Sequence, residues 1–373
     1  MIVSIIIFVI IFTIGLIFSI VKINNKNTED GLNSLILTTG ISLISSSLTD
    51  FWNWLFATIA LLKDKEQLAS STMETNYYTL TIGVIFIGIY IFLCSKLKNK
   101  FCILNINGYD KYNIDEYVNT KKDIYSYTER EINFIYLYNN LFKKRHNKEI
   151  LKCILNQIED NTKSFKSETN GLKKGYTGIA PIPFIIYAGT FLNRTNIDKY
   201  LEFNKKTSKY YELSNKKVKY PKLINEYKLE NLDKKNNGIT LVVSITQQIT
   251  EEDLSQFKNT NIVKLGIRDK KDNAIYSKKQ LEEYTNNVID TIIKLENSGI
   301  NIKKINLILA SQSCLAIEIG KRCADDTRLP EVISYQYERQ ENNNRYPWGI
   351  VINGKNKGNF IKEELNVWFI KRI

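Results

Sequence analysis

The residues best placed to do chemistry lie in the stretch "INLILASQSCLAIEIGKRC", residues 305–323. Ile305, Leu307, Ile308 and Leu309 form an apolar run without turn residues, as an inward strand would. Leu315, Ile319 and Cys323 recur every four residues, as on one face of a helix. Ala310, Ser311, Gln312 and Ser313, all small or neutral polar, stand where strand becomes helix. A helix N-terminus offers unpaired N–H groups and a partial positive charge, which suits a phosphate. Small residues also let a helix lie close on a sheet, and serine is an ordinary N-cap. From this stretch alone, both readings stand.

Other chemistries have little to work with. The single histidine, His146, sits in "KKRHNK", which weighs against His-dependent nucleases, zinc hydrolases and Ser-His triads. Cys94, Cys102, Cys153, Cys314 and Cys323 form no CxxC pair, which fits a reducing compartment and no disulfide framework. Neither a GxGxxG motif nor a P-loop is present, so no cofactor or metal is expected.

The elements that must position the 311–313 turn alternate between strand and helix. "FCILNI" reads as a strand; 129–145 and 148–159 read as helices, the second with Ile150, Leu151, Ile154, Leu155 and Ile158 on one face. A helix over 179–192 is entered through "APIP", which contains Pro181 and Pro183. After a charged linker near 215–237, "ITLVVSI", "IVKLGI" and "INLILA" read as strands. Between the last two, a helix over 277–295 carries Leu281, Tyr284, Val288, Ile292 and Leu295 on one stripe. Such alternation predicts an α/β fold with mostly parallel sheets. Ligands in these sheets bind beyond the carboxyl ends of strands, which singles out Ser244, Thr246 and Gln247 beside Ser311, Gln312 and Ser313.

A repeat runs through this part. "APIPFIIYAGTFLN" leads to "KYLEFNKKTSKYYEL", and "ASQSCLAIEIGKRC" leads to "VISYQYERQENNNRYPWGIVI". Each half places a small-residue or proline turn before an apolar helix, then two strands joined by a polar turn. Gly189 follows Ala180 by nine residues, and Gly320 follows Ala310 by ten. Two related halves, 101–237 and 238–373, would face each other across a cleft, although ordinary α/β order can produce the same pattern.

Residues 1–95 differ in character, with four Lys, no Arg and six acidic residues, so the rest of the chain carries a net charge of +15 against the overall +13. A basic globular part favours an anionic partner, such as nucleic acid, nucleotide or membrane surface; an AT-rich genome gives the same bias. Residues 1–21 hold no charge, and roughly twenty helical residues cross a ~30 Å hydrocarbon core. Residues 77–95 form a second uncharged run, followed by Lys96, Lys98 and Lys100, which would mark the cytoplasmic side. Residues 31–62, rich in Gly, Ser and Thr and interrupted by Asp50, read as a third tilted span or as an interfacial helix. The expectation is two or three transmembrane helices, with the large domain cytoplasmic.

The two motif sets, "GYTGIAPIPFIIYAG…YLEFNKKTSKYYEL" and "LILASQSCLAIEIGKRC…LPEVISYQYE…RYPWGIVI", together resemble the SAVED domain over about residues 101–373. That family is built as two fused CARF-like halves, and its members bind cyclic oligonucleotides in bacterial anti-phage defence. With apolar segments at the N-terminus, the chain looks like the transmembrane-SAVED effectors, which implies a multi-pass location in a bacterial inner membrane. The resemblance implies a non-enzymatic receptor for a cyclic tri- or tetranucleotide that self-associates on binding and disrupts the bilayer, leading to abortive infection. The alternatives are a ring nuclease and a ligand-gated channel. It further implies roles for residues: backbone N–H groups of Ser311, Gln312 and Ser313 on phosphate, Tyr335 and Tyr337 stacked on bases, and Arg339, Lys205 and Lys206 neutralising phosphate.

Overall fold

The computed structural model describes residues 2–24, 28–48, 77–98, 100–121, 126–227, 230, 232–234, 236–325, 328–339 and 344–362. The chain divides into two compact units, 1–100 with 170–172, and 101–169 with 173–373.

In the first unit the described helices are α1 (Ile2–Asn24), α2 (Thr28–Ser47) and α3 (Tyr77–Lys98). They approach closely at small residues. A Cβ on Gly15 would lie 2.0 Å from Thr38 Cγ2, and one on Gly83 would lie 2.9 Å from the Gly40 carbonyl oxygen. Dense helix packing of this kind leaves no room for a side chain at those points. Ile14, Ile17, Ile91 and Phe92 remain exposed.

Among the described residues, no helix is long and apolar enough to cross a membrane. The α2 sequence begins with Thr28, Glu29 and Asp30 and is rich in Ser and Thr thereafter. This overturns the expected transmembrane segments 1–21 and 77–95 and the described part of 31–62, and with them the multi-pass inner-membrane location; residues 49–62 lie outside the described residues. Asp50 lies outside the described residues.

The second unit holds two sheets. The first is built from β1 (Lys100–Asn107), β2 (Ser126–Asn133), β3 (Lys173–Ile179), β4 (Lys199–Asn204) and β5 (Lys209–Glu212), in the order β2-β1-β3-β4-β5. β1, β3 and β4 run parallel, and β4 turns back on β5 as an antiparallel hairpin. Its helices are α4 (Asp115–Asn119), α5 (Lys148–Glu168) and α6 (Ile182–Gly189). Leu151, Ile154, Leu155 and Ile158 form the buried face of α5, and Asn147 caps its start. The expected helix over 129–145 is wrong at its beginning. There β2 forms instead, with Asn105 and Asn107 of β1 donating to Glu129 and Glu131 at 2.7 and 2.9 Å. Tertiary pairing overrides the helical preference of Glu and Arg.

The second sheet takes β6 (Ile224–Asn225), β7 (Gly238–Ser244), β8 (Asn261–Gly266), β9 (Lys304–Ala310), β10 (Glu331–Gln336), β11 (Trp348–Val351) and β12 (Phe360–Lys362) in the order β12-β11-β10-β9-β7-β8-β6. The four central strands are parallel and the edges antiparallel. β6, within the charged linker of the sequence, pairs with β8 of this sheet. Its helices are α7 (Lys278–Glu296) and α8 (Ser313–Asp325). Ser277 caps α7, whose Leu281, Tyr284, Val288, Ile292 and Leu295 are buried.

α6 and α8, the helices of the repeat, meet at its two glycines. A Cβ on Gly320 would lie 2.0 Å from the Ile186 carbonyl oxygen. One on Gly189 would lie 2.3 Å from the Ile317 carbonyl oxygen and 3.0 Å from Gly320 Cα. Both obstacles are backbone, so the helices must separate to admit a methyl group. Gly320→Ala is expected to cost about 3 kcal/mol or more, the upper end of overpacking. In contrast, Gly88→Ala, with nothing within 4 Å, should be neutral or stabilising by up to ~1 kcal/mol through helix propensity. Urea denaturation of both variants checks this; equal midpoints would contradict the close crossing.

Candidate functional site

A cavity of about 380 Å³ opens where strands of both sheets reach their carboxyl ends. Ile179 ends β3 and Ala180 follows it, Lys205 and Lys206 follow β4, Thr246 and Gln247 follow β7, and Ser311 to Ser313 follow β9. This is where a parallel sheet leaves backbone groups and loops free for a ligand.

Of the residues singled out from sequence, Thr246, Gln247, Ser311, Gln312, Ser313, Tyr337, Lys205 and Lys206 all line this cavity. The others do not. Ser244 is buried at the end of β7, its carbonyl accepting from Ile267 N at 3.3 Å. Tyr335 is buried inside β10 and packs on Phe257, ring centroids 5.1 Å apart. Tyr337, just past the strand end, is 39% exposed and packs against Tyr346 at 5.5 Å. Arg339 is exposed and away from the cavity. Pro181 precedes α6, where its carbonyl accepts from Phe184 N at 3.0 Å, and Pro183 is buried in the first turn.

The 311–313 turn is more heavily bonded than its sequence suggests. Gln312 Oε1 accepts from Ile275 N at 2.6 Å. Its Nε2 donates to the Ile275 carbonyl at 3.0 Å and to Tyr211 OH at 2.8 Å. Gln312 therefore braces the preceding loop. At the start of α8, Ser313 Oγ and Cys314 N donate to Oε1 of Glu202 at 3.0 and 2.7 Å. The anion at this helix N-terminus is thus a carboxylate from β4 of the other sheet. Burial raises the Glu202 carboxyl above its ordinary value, against the pull of the bonds from Cys314 and Ser313.

Sequence reasoning missed Glu202, Tyr109, Phe203, Asn273 and Tyr346, which also line the cavity. An acid flanked by Leu201 and Phe203 was the available signal for Glu202. Asn273 has φ +56°, a left-handed conformation, and accepts from Tyr211 OH at 3.2 Å. Tyr109 OH accepts from Gln336 Nε2 at 2.8 Å, and burial pushes this phenol well up. Lys205, Lys206 and Asp272 are exposed at the rim. Asp253 is held by Thr250, accepting from its N and Oγ1 at 2.9 and 2.8 Å. Among the described residues, no group of His, Cys, Asp and Glu is arranged to hold a metal ion.

A family model described as "SMODS-associated and fused to various effectors sensor domain" (SAVED) matches residues 158–352. The chain belongs to the SAVED family. No curated protein matches it. Similar solved structures include the Acinetobacter baumannii Cap4 SAVED/CARF-domain containing receptor with the cyclic trinucleotide 2'3'3'-cAAA. It is 11% identical with TM-score 0.44, and the match covers 70% of this chain and 56% of that one. With 3'3'3'-cAAA the same receptor gives 11% identity, TM-score 0.45, and coverage of 87% and 65%. The Moraxella osloensis Cap4 receptor gives 10%, 0.40, and 85% and 62%. The chain thus spans 56% to 65% of the length of these receptors.

The cap on α8 makes a stability prediction. Glu202→Leu strips Ser313 and Cys314 of their acceptor and should cost about 2–4 kcal/mol, the price of buried donors left unbonded. Glu202→Gln keeps an acceptor and should cost about 1 kcal/mol. Because the folded carboxyl titrates above its unfolded value, its contribution is full below that value and is lost as pH rises through the folded one. Glu202→Gln should remove that part of the fall. Urea midpoints measured from acid to neutral pH check both statements; a Leu variant as stable as wild type would contradict the cap.

Proposed function

We propose that this chain is a receptor that binds a cyclic oligonucleotide in the cavity between its two sheets and passes the signal on by self-association in anti-phage defence. One observation carries the reading: one cavity is lined by basic, hydroxyl and aromatic residues drawn from both sheets of a chain of the SAVED family. Each part suits a piece of a nucleotide ring. Lys205 and Lys206 at the rim neutralise phosphates. Tyr337 offers a partly exposed ring face on which a base can stack, worth ~1–3 kcal/mol. Ile182, Ile185 and Ile249 give the interior apolar walls that suit a base rather than a phosphate. Because Lys205, Lys206 and Gln247 are exposed, a seated ring presents its outer side to solvent, where a second copy would meet it.

The first ligand to test is a cyclic triadenylate, the class present with the Acinetobacter baumannii receptor. Calorimetry on the full chain should show binding of this ring and at least tenfold weaker binding of linear triadenylate. The recovered ring should be intact by chromatography, and light scattering should rise with ligand. Lys205→Ala and Lys206→Ala should each weaken binding about tenfold, near the lower end for a charge-assisted hydrogen bond, and should flatten the salt dependence. Absence of binding, or turnover of the ring, would contradict the receptor reading. Binding without a rise in scattering would remove self-association from it.

A further inference from the structure

The cavity proposed to take a polyanion already holds an anion at its floor. Glu202 is 6% exposed and lines the cavity. Its Oε1 takes the bonds from Ser313 Oγ and Cys314 N at the start of α8, and a carboxylate has lone pairs for further donors. A carboxylate accepts and does not donate. It repels phosphate, and a buried one gains from every further N–H or O–H that reaches it. The apolar side chains of Ile185 and Ile249, both buried and both lining the same cavity, exclude a phosphate from the interior and admit a flat base. Ser311 lines this cavity too, and its Oγ is buried with no hydrogen-bond partner.

Resting on the receptor reading, we infer that Glu202 reads the exocyclic amine of a nucleobase, with Ser311 as its companion. The base enters edge first. Its amine donates to Glu202 Oε2, and the Ser311 hydroxyl donates to the adjacent ring nitrogen. An amine beside an acceptor nitrogen is the edge of adenine or cytosine. Uracil and hypoxanthine reverse the pattern, placing a carbonyl oxygen against the carboxylate and an N–H against the hydroxyl. The cavity therefore selects amino-bearing rings, and Lys205 and Lys206 hold the phosphates outward. This also assigns α8 a different task from the one its N-terminus suggests: it fixes the reader and leaves the phosphate to the lysines.

The test is calorimetry on the full chain with two rings that differ in one group per base, 3'–5' linked cyclic triadenylate and cyclic tri-inosinate. Wild type should prefer the adenine ring by about tenfold to hundredfold, the range of a charge-assisted hydrogen bond gained or lost. In Glu202→Gln the amide supplies a donor, so the preference should collapse to within about threefold or reverse. Ser311→Ala leaves the α8 cap intact and should narrow the preference as well, which keeps the test valid should Glu202→Gln fold poorly. An unchanged ratio in folded variants overturns the inference and leaves the receptor reading standing. A wild type that binds both rings equally but loses the 2'-deoxyadenosine ring would move Glu202 to the ribose hydroxyl and overturn it too. A wild type that binds none of these rings overturns the receptor reading, and the inference falls with it.

Discussion

The crossing of α6 and α8 at Gly189 and Gly320 is the constraint on which the second unit depends. The Ile186 and Ile317 carbonyl oxygens stand where side chains would otherwise project. The two helices therefore touch backbone to backbone, and each follows the carboxyl end of a parallel strand, β3 or β9. Fixing one helix against the other brings those strand ends to a common cavity. Interiors are close-packed and bistable rather than elastic, so a small separation at this crossing would not be absorbed locally. Further contacts reinforce it. Gln336 Oε1 accepts from Ile182 N at 3.2 Å, and the Lys357 ammonium lies 3.8 Å over the Phe191 ring.

Glu202 is the electrostatic counterpart of that crossing. Burying a carboxylate is costly unless donors and a favourable dipole meet it. Here the N-terminus of α8, on one sheet's side, satisfies an acid from β4 of the other sheet. The charge pattern of the cavity follows. Acid occupies the floor and lysine the rim; under the proposed function this charge pattern would turn a base inward and a phosphate outward. At the helix end where the sequence led to the expectation of a phosphate on Ser311 to Ser313, the structure places the Glu202 carboxyl against Ser313 and Cys314.

Much of the second unit was legible because its periodicities are strong. β7, α7, β9 and α8 all form where alternation or a four-residue recurrence placed them, and the repeat that spaced Gly189 and Gly320 alike foreshadowed their meeting. Position along the strands was enough to collect Thr246, Gln247 and Ser311 around one cavity. What periodicity does not encode is long-range pairing. β2 looked helical because its Glu and Arg favour helices locally, and only Asn105 and Asn107 across the sheet decide otherwise. Tyr335 and Tyr337 are alike in sequence, yet the strand ends between them, so one is core and the other borders the cavity. Glu202 carries only a weak signal, one acid flanked by Leu201 and Phe203 in a six-residue strand. At the N-terminus, apolar runs did become helices α1 to α3, but composition alone overreached when it made them membrane spans.

The central claim is that one ligand engages both sheets of the second unit at once. Hydrogen–deuterium exchange of the full chain, with and without cyclic triadenylate, reads this directly. The account predicts simultaneous protection of the β4–β5 turn around Lys205 and Lys206 and of the turns carrying Thr246 and Ser311, with the edge strand β12 unchanged. Protection confined to one sheet, or absent from both turns while the ligand is bound, would contradict it.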